Sequence, residues 1–294
     1  MSVIKSENLH KSFGKVNALQ GVDFEVNEGE IYGFIGPNGA GKSTTIRVLL
    51  GILKASSGHA ELFGRDVWKD AVDLHKRIAY VPGDVNLWPN LTGGEVIDLF
   101  VRLKKDHNKK YRDELIERFD LDPTKKCGTY SKGNRQKIAL IAALSSDAEL
   151  YILDEPTSGL DPLMETVFQD CARKAKAEGR TIFLSSHILS EVEALCDRIS
   201  IIRQGRIIDS GTLSELRHLH RNSIQVETSD PLDGLPGMEG VYDVSVNEGI
   251  TSFRIDNAKT EQVISYLAGR GITHITATPP TLEELFMSHY ADGK

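Results

Sequence analysis

The chain has 294 residues, 40% of them hydrophobic and 26% charged, with a formal net charge of −7. That length allows about two domains, and the composition is that of an ordinary globular protein. The acidity is uneven: residues 220–294 carry 5 Lys or Arg against 11 Asp or Glu, while residues 1–219 carry 30 against 31. With no basic stripe, direct nucleic-acid binding is not expected, because phosphate neutralisation dominates such affinity.

Val3 to Leu9, Asn17 to Val26 and Glu30 to Ile35 carry apolar residues at strand spacing, with Gly14, Gly21 and Gly29 supplying turns. A helix is expected from Lys42, because Ile46, Leu49, Leu50 and Leu53 fall on one face. Arg77 to Val81 reads as a strand stopped by Pro82-Gly83. From Thr92 the spacing turns helical. Val96, Leu99, Phe100 and Leu103 mark one helix, Leu115, Ile116 and Phe119 a second, and Ser131 to Leu144 a third. Leu150 to Leu153 and Thr181 to Ser185 are short apolar runs of the kind buried on both faces of a parallel sheet, with a helix from Pro162 to Ala177 between them. Ser190 to Cys196 reads as a short helix, and Arg198 to Arg203 and Arg206 to Asp209 as strands about a Gln204-Gly205 turn. The alternation predicts an α/β sheet with a helical insertion at about residues 92–146.

After His220 the pattern becomes a small α+β unit. Ser223 to Thr228, Val241 to Val246 and Thr251 to Ile255 are expected strands, Lys259 to Gly269 a helix, Ile272 to Thr276 a strand and Leu282 to Tyr290 a closing helix. Pro231, Gly234, Pro236 and Gly237 form a loop within it. Two domains are therefore expected, 1–219 and 220–294. Cys127, Cys171 and Cys196 are widely spaced and odd in number, which gives neither a disulfide framework nor a zinc spacing and fits a reducing compartment. No apolar run reaches the roughly 18 residues of a membrane span, and Met1 to Lys11 is too polar for a signal-peptide core. The chain is expected in the cytoplasm unless a partner holds it at a membrane.

One motif dominates the chemistry. Gly36-Pro37-Asn38-Gly39-Ala40-Gly41-Lys42-Ser43-Thr44 matches G-x-x-x-x-G-K-[ST], with a strand before it and a helix after it. Its glycines let backbone N–H groups face phosphate oxygens, and the helix beginning near Lys42 aims its positive end at the same anion. Lys42 would neutralise the β- and γ-phosphates and the Ser43 hydroxyl would ligate Mg²⁺. Farther on, the strand Leu150-Tyr151-Ile152-Leu153 ends in Asp154-Glu155. Asp154 suits a Mg²⁺ site and Glu155 suits orienting or deprotonating a water.

Between these motifs, Tyr130-Ser131-Lys132-Gly133-Asn134-Arg135-Gln136 opens an apolar helix with Ser131 as its N-cap. Here the chain resembles the ATP-binding-cassette (ABC) ATPases, whose signature reads S-G-G-x-x-Q just upstream of the second carboxylate motif. Ser158-Gly159-Leu160-Asp161 resembles the family's D-loop, and His187, in Leu184-Ser185-Ser186-His187, its switch histidine. The resemblance covers about residues 2–219, with every block in family order. It implies a P-loop NTPase core with an antiparallel β subdomain and a helical subdomain. It also implies head-to-tail pairing, as a homodimer or with another ABC subunit. Each ATP then lies between the Gly36–Thr44 loop of one subunit and Ser131, Gly133 and Gln136 of the other, with Asp161 also at the site. An aromatic stacks on adenine in the family; Phe13 stands at that position, or else serves as core filling.

Two positions depart from the family pattern. The family has Gln after the Ile78–Val81 strand, where this chain has Gly83 followed by Asp84. Either Asp84 partly replaces that Gln toward the metal and the water, or it only makes a turn. Lys132 stands where the signature has Gly, and a cation in a first helical turn is disfavoured by roughly 0.3–1 kcal/mol. Either a partner's γ-phosphate reverses that sign, or Lys132 points to solvent.

The segment Pro279-Pro280-Thr281-Leu282-Glu283-Glu284-Leu285-Phe286 resembles the end of stand-alone ABC subunits that serve exporters, whose membrane pore is a separate permease polypeptide. Thr281 and Glu284 also form a capping box. Tyr80 to Asp84 and Leu91 to Glu95 look like drug and antibiotic exporter subunits. The resemblance thus implies an ATP-hydrolysing export subunit, with the segment between Val81 and Glu95 carrying motion to the permease. The alternatives are a soluble ABC protein acting on ribosomes or DNA, and a regulatory ABC module with impaired ATPase.

Overall fold

The computed structural model describes residues 1–103, 109–218, 221–247, 249–278 and 283. In chain order the strands and helices of its first part are β1 (Ser2–Phe13), β2 (Val16–Asn27), β3 (Ile31–Ile35), α1 (Lys42–Leu49), β4 (Ser57–Leu62), β5 (Arg65–Asp66), α2 (Ala71–Leu74) and β6 (Ile78–Val81). Then come α3 (Gly93–Leu103), α4 (Lys109–Arg118), α5 (Lys132–Leu144), β7 (Leu150–Asp154), α6 (Pro162–Ala177), β8 (Thr181–Ser186), α7 (Leu189–Leu195), β9 (Arg198–Arg203) and β10 (Arg206–Thr212).

Two sheets share this part. β2-β1-β4-β5 is antiparallel, and the other sheet runs β10-β9-β3-β8-β7-β6. From β9 to β6 the neighbours of the second sheet are parallel. Every residue of β3, β7 and β8 is buried, which is why these strands read as apolar runs without alternation. One core cluster joins the two sheets through α1, with Ile4, Leu19, Val22, Phe34, Ile46 and Phe183 among its members. Phe24, Tyr32, Phe34 and Phe183 stack within it, at ring-centroid distances from 5.3 to 6.1 Å. α3, α4 and α5 form the expected helical insertion between β6 and β7.

Two helices begin on side-chain caps legible in the sequence. Ser131 Oγ accepts from Asn134 N–H at the start of α5, and Asp161 Oδ1 accepts from Met164 N–H at the start of α6, with Pro162 in its first turn. Helix α3 lies where the spacing predicts it, but of the apolar stripe only Val96 is buried. Val96, Ile97 and Val101 are buried, while Leu99, Phe100 and Leu103 are exposed. Strands β4 and β5 and helix α2 carry no periodic signal, being short and polar.

The chain divides into two compact units between Ser210 and Gly211, whereas composition marks its change near His220. The second unit opens with α8 (Leu213–His218), whose mixed charges resemble those of the preceding residues. It continues with β11 (Asn222–Thr228), β12 (Val241–Asn247), β13 (Ile250–Ile255), α9 (Thr260–Ala268) and β14 (Ile272–Thr278). The order β12-β13-β11-β14, antiparallel throughout, is that of a split βαβ sheet. A single helical turn at Leu235–Gly237 stands where the first crossover helix would be. Ile224, Val226, Leu235, Phe253, Ile255, Val263 and Leu267 form its own core. The expected closing helix Leu282 to Tyr290 and the Pro279 to Phe286 segment lie outside the described residues, apart from Glu283.

Candidate active site

The chemistry gathers at the carboxyl ends of the parallel strands. β3 runs into the P-loop, β7 ends at Asp154 and β8 at Ser186, so strand pairing brings three distant segments to one edge. A cavity of about 540 Å³ opens there. Pro37, Asn38, Gly39, Gly41, Lys42, Ser43 and Thr44 line one side, and Gly83, Asp84, Asp154, Glu155 and His187 the other. Gly41 has φ +116°, and a Cβ on it would lie 3.0 Å from Ala18 O, so both its conformation and its packing require glycine. Gly36 and Ala40 complete the loop, with Ala40 buried and its N–H donating to Pro37 O at 3.1 Å.

Lys42 is buried and turned inward. Its Nζ donates to Gly36 O at 2.7 Å and lies 3.1 Å from Glu155 Oε1. Glu155 is held from the opposite side by His187, whose Nδ1–H donates to Oε2 at 2.5 Å. Glu155 sits at φ +50°, a strained conformation for a residue with a side chain. Its N–H donates to Ser185 O at 3.1 Å, which fixes that turn. Asp154 is buried and accepts from Ser185 Oγ at 2.5 Å. Lys42, Glu155 and His187 therefore form one chain of polar contacts, with Asp154 beside it. Burial and the neighbouring Asp154 charge push the Tyr80 phenol up to about 12.

Ser43 hydroxyl and Asp154 carboxylate are hard oxygen donors on one cavity, and Asp84 adds a third on the same walls. That donor set fits a small divalent cation. A Cβ at Gly83 would lie 3.3 Å from Asp154 O and 3.7 Å from Asp154 Cγ, so this turn packs closely against the end of β7. Asp84, one residue on, accepts from Asn86 Nδ2 at 3.4 Å.

The remaining expected residues are elsewhere. Ser131 is exposed and Gly133 half-buried at the start of α5. Gln136, expected against a partner's nucleotide, is 1% exposed, and its side-chain amide donates to Pro156 O at 2.9 Å within the same chain. One turn into α5 the helix faces the core, so within this chain the amide completes a backbone hydrogen bond there. Asp161 is exposed and its carboxylate caps α6. Phe13 is not core filling; it is 48% exposed, with Lys11 Nζ 5.0 Å from its ring centroid. Lys132 is exposed, and its Nζ donates to Ser158 Oγ at 2.8 Å.

Ala18, Arg47, Tyr80 and Ser158 also line the cavity; no motif marks Ala18 or Arg47, while Tyr80 and Ser158 lie in segments the sequence singles out without a role in the site. Arg47 could have been found, because it follows Ser43 by one helical turn and so shares its face. Ser158 belongs to the D-loop-like run, and the loop after Glu155 carries it to the cavity wall.

The comparisons with known proteins agree with this geometry. The ABC transporter family model matches residues 19–158, and the C-terminal domain of DrrA1-3-like ATP-binding proteins matches residues 211–290. The bacitracin transport ATP-binding protein BcrA of Bacillus licheniformis is 32% identical over 307 residues, covering 99% of this chain and 98% of that protein. The linearmycin resistance ATP-binding protein LnrL of Bacillus subtilis (strain 168) is 33% identical over 303 residues, covering 97% of each. A solved ATP-binding subunit of an ABC transporter is 32% identical with a TM-score of 0.69, covering 74% of this chain and 92% of that one. Sequence, fold and site thus converge, and the chain belongs to the ATP-binding, ATP-hydrolysing proteins of ABC transporters.

Proposed function

We propose that this chain is the ATPase subunit of an exporter, working as a homodimer or with another ABC subunit across two ATP sites. It is held at the inner, cytoplasmic face of the cell membrane by a separate membrane-spanning permease. The observation that carries this reading is the convergence of Lys42, Asp154, Glu155 and His187 on the cavity beneath the P-loop. Lys42 exchanges Gly36 O and Glu155 for the β- and γ-phosphates. Glu155, released, orients or deprotonates the attacking water, and His187 holds its carboxylate in place. Ser43 and Asp154, with Asp84, would hold Mg²⁺, which when bound would neutralise phosphate charge. Ser131 and Gly133 face the partner's nucleotide at a helix N-terminus. Phe13 offers its exposed ring to adenine, and Asp161 and Gln136 shape the site by holding their own loops.

Export of a drug or antibiotic rests on the relatives, named for bacitracin transport and linearmycin resistance, and on the DrrA-like C-terminal domain. Residues 1–219 are the ATPase domain and 220–294 an acidic accessory domain. Among the described residues no helix is long and apolar enough to cross a membrane, so the pore is assigned to another chain. Its docking point is the exposed apolar surface after β6, where the Trp88 and Phe100 ring centroids lie 6.2 Å apart beside exposed Leu99 and Leu103. Purification of the tagged chain from detergent-solubilised membranes tests the reading. A multi-span membrane protein and ATP hydrolysis are expected in the eluate; recovery with ribosomes instead would contradict it.

A further inference from the structure

Lys132 occupies the first helical position of α5, where its charge meets the positive end of the helix dipole. Among the described residues no carboxylate lies within salt-bridge distance of it. Its ammonium reaches across to Ser158 Oγ at 2.8 Å, and its Cγ and Cδ lie 3.4 Å from where Gly159 would carry a Cβ. The next residue, Gly133, approaches the same loop so closely that a Cβ on it would stand 2.4 Å from Gly159 O. One turn on, Gln136 donates to Pro156 O at 2.9 Å. Three successive points of one helix therefore grip the loop Pro156–Gly159, which directly follows Glu155. Ser158 has a second face, because it also lines the P-loop cavity.

We propose that Lys132 is a positioning residue. Through Ser158 it ties the state of the chain's own nucleotide cavity to the Ser131–Gly133 segment, the part offered to a second subunit's nucleotide. This rests on the nucleotide-site reading above and deepens it. Gln136 and Gly133 make contacts that need only an amide and the lack of a side chain. Lys132 alone reaches a side chain in the cavity wall, so its removal should loosen the tie without unfolding the helix. An exposed hydrogen bond of this kind adds little to stability, and its effect falls on position.

Hydrogen exchange on the full chain, with and without MgADP, tests this apart from turnover. In the wild type and in Lys132→Arg, MgADP should slow exchange of the amides at 133–137. In Lys132→Met and in Ser158→Ala that protection should shrink by about threefold or more, and the double variant should be no worse than either. In Lys132→Met the affinity for MgADP should stay within about twofold, and kcat for ATP should fall about threefold to tenfold with KM unchanged. Undiminished protection in Lys132→Met would overturn the proposal. A weakened KM in Lys132→Met that is independent of Ser158 would also overturn it, assigning the lysine to the partner's nucleotide. A wild-type chain that fails to bind MgADP would instead overturn the nucleotide-site reading, and the proposal with it.

Discussion

Glu155 shows how much one residue integrates. Its carboxylate meets Lys42 on one side and His187 on the other, and its backbone holds a positive φ. None of these contacts is visible in the sequence, although each participant is. The P-loop was legible because its chemistry is local: a contiguous run fixes the glycines, the lysine and the hydroxyl together. A motif gives a residue's position and not the direction of its side chain, so the Gln136 amide on Pro156 O and the Asp161 carboxylate capping α6 were not legible. Gly133→Ala tests the closest backbone approach. A methyl 2.4 Å from Gly159 O must displace the loop behind Glu155, so the melting temperature should drop by an amount equivalent to about 1–3 kcal/mol and ATP turnover should fall with it. Asp84→Ala tests the replacement of the family's Gln. Loss of about tenfold in kcat at saturating Mg²⁺ is expected if Asp84 serves the metal site, and full activity would reduce it to a turn residue.

Helices and strands were mostly found, and the failures have physical causes. α3 is where the spacing puts it, but its stripe of Val96, Leu99, Phe100 and Leu103 is split: Val96 joins Ile97 and Val101 in the core, while Leu99, Phe100 and Leu103 face outward. An apolar stripe turned outward is a surface signal that spacing alone cannot separate from burial. α7 carries a buried carboxyl that no motif marks. Glu191 is 5% exposed, and its Oε2 accepts from Ser186 Oγ at 2.9 Å, beside His187. Burial lifts this carboxyl above its ordinary value of 4.5. The folded chain therefore binds that proton more tightly than the unfolded chain does. The resulting stabilisation is complete below the ordinary value and is lost as pH rises through the raised one. Melting temperature measured from about pH 4 to pH 8 should fall less steeply in Glu191→Gln than in the wild type; parallel curves would show that Glu191 titrates normally.

For the whole molecule, the opening charge asymmetry maps onto architecture. The near-neutral part contains the nucleotide cavity, and the acidic part is a split βαβ sheet with its own core. Residues 211–294 expressed alone should therefore melt cooperatively. The tail's family was legible only from its last segment, because β-strand patterns of this length are common to many folds. Trp88→Ser with Phe100→Ser should abolish recovery of the membrane partner from detergent extracts while leaving ATP hydrolysis by the isolated chain within about twofold. Retained recovery would move the docking surface elsewhere. The most direct measurement is MgATP binding and phosphate release by the full chain beside Glu155→Gln. Nucleotide binding should persist in the variant, since Lys42 loses only a competing partner, while phosphate release falls by about a hundredfold or more. A Glu155→Gln chain that hydrolyses ATP at the wild-type rate would contradict the assignment of the site.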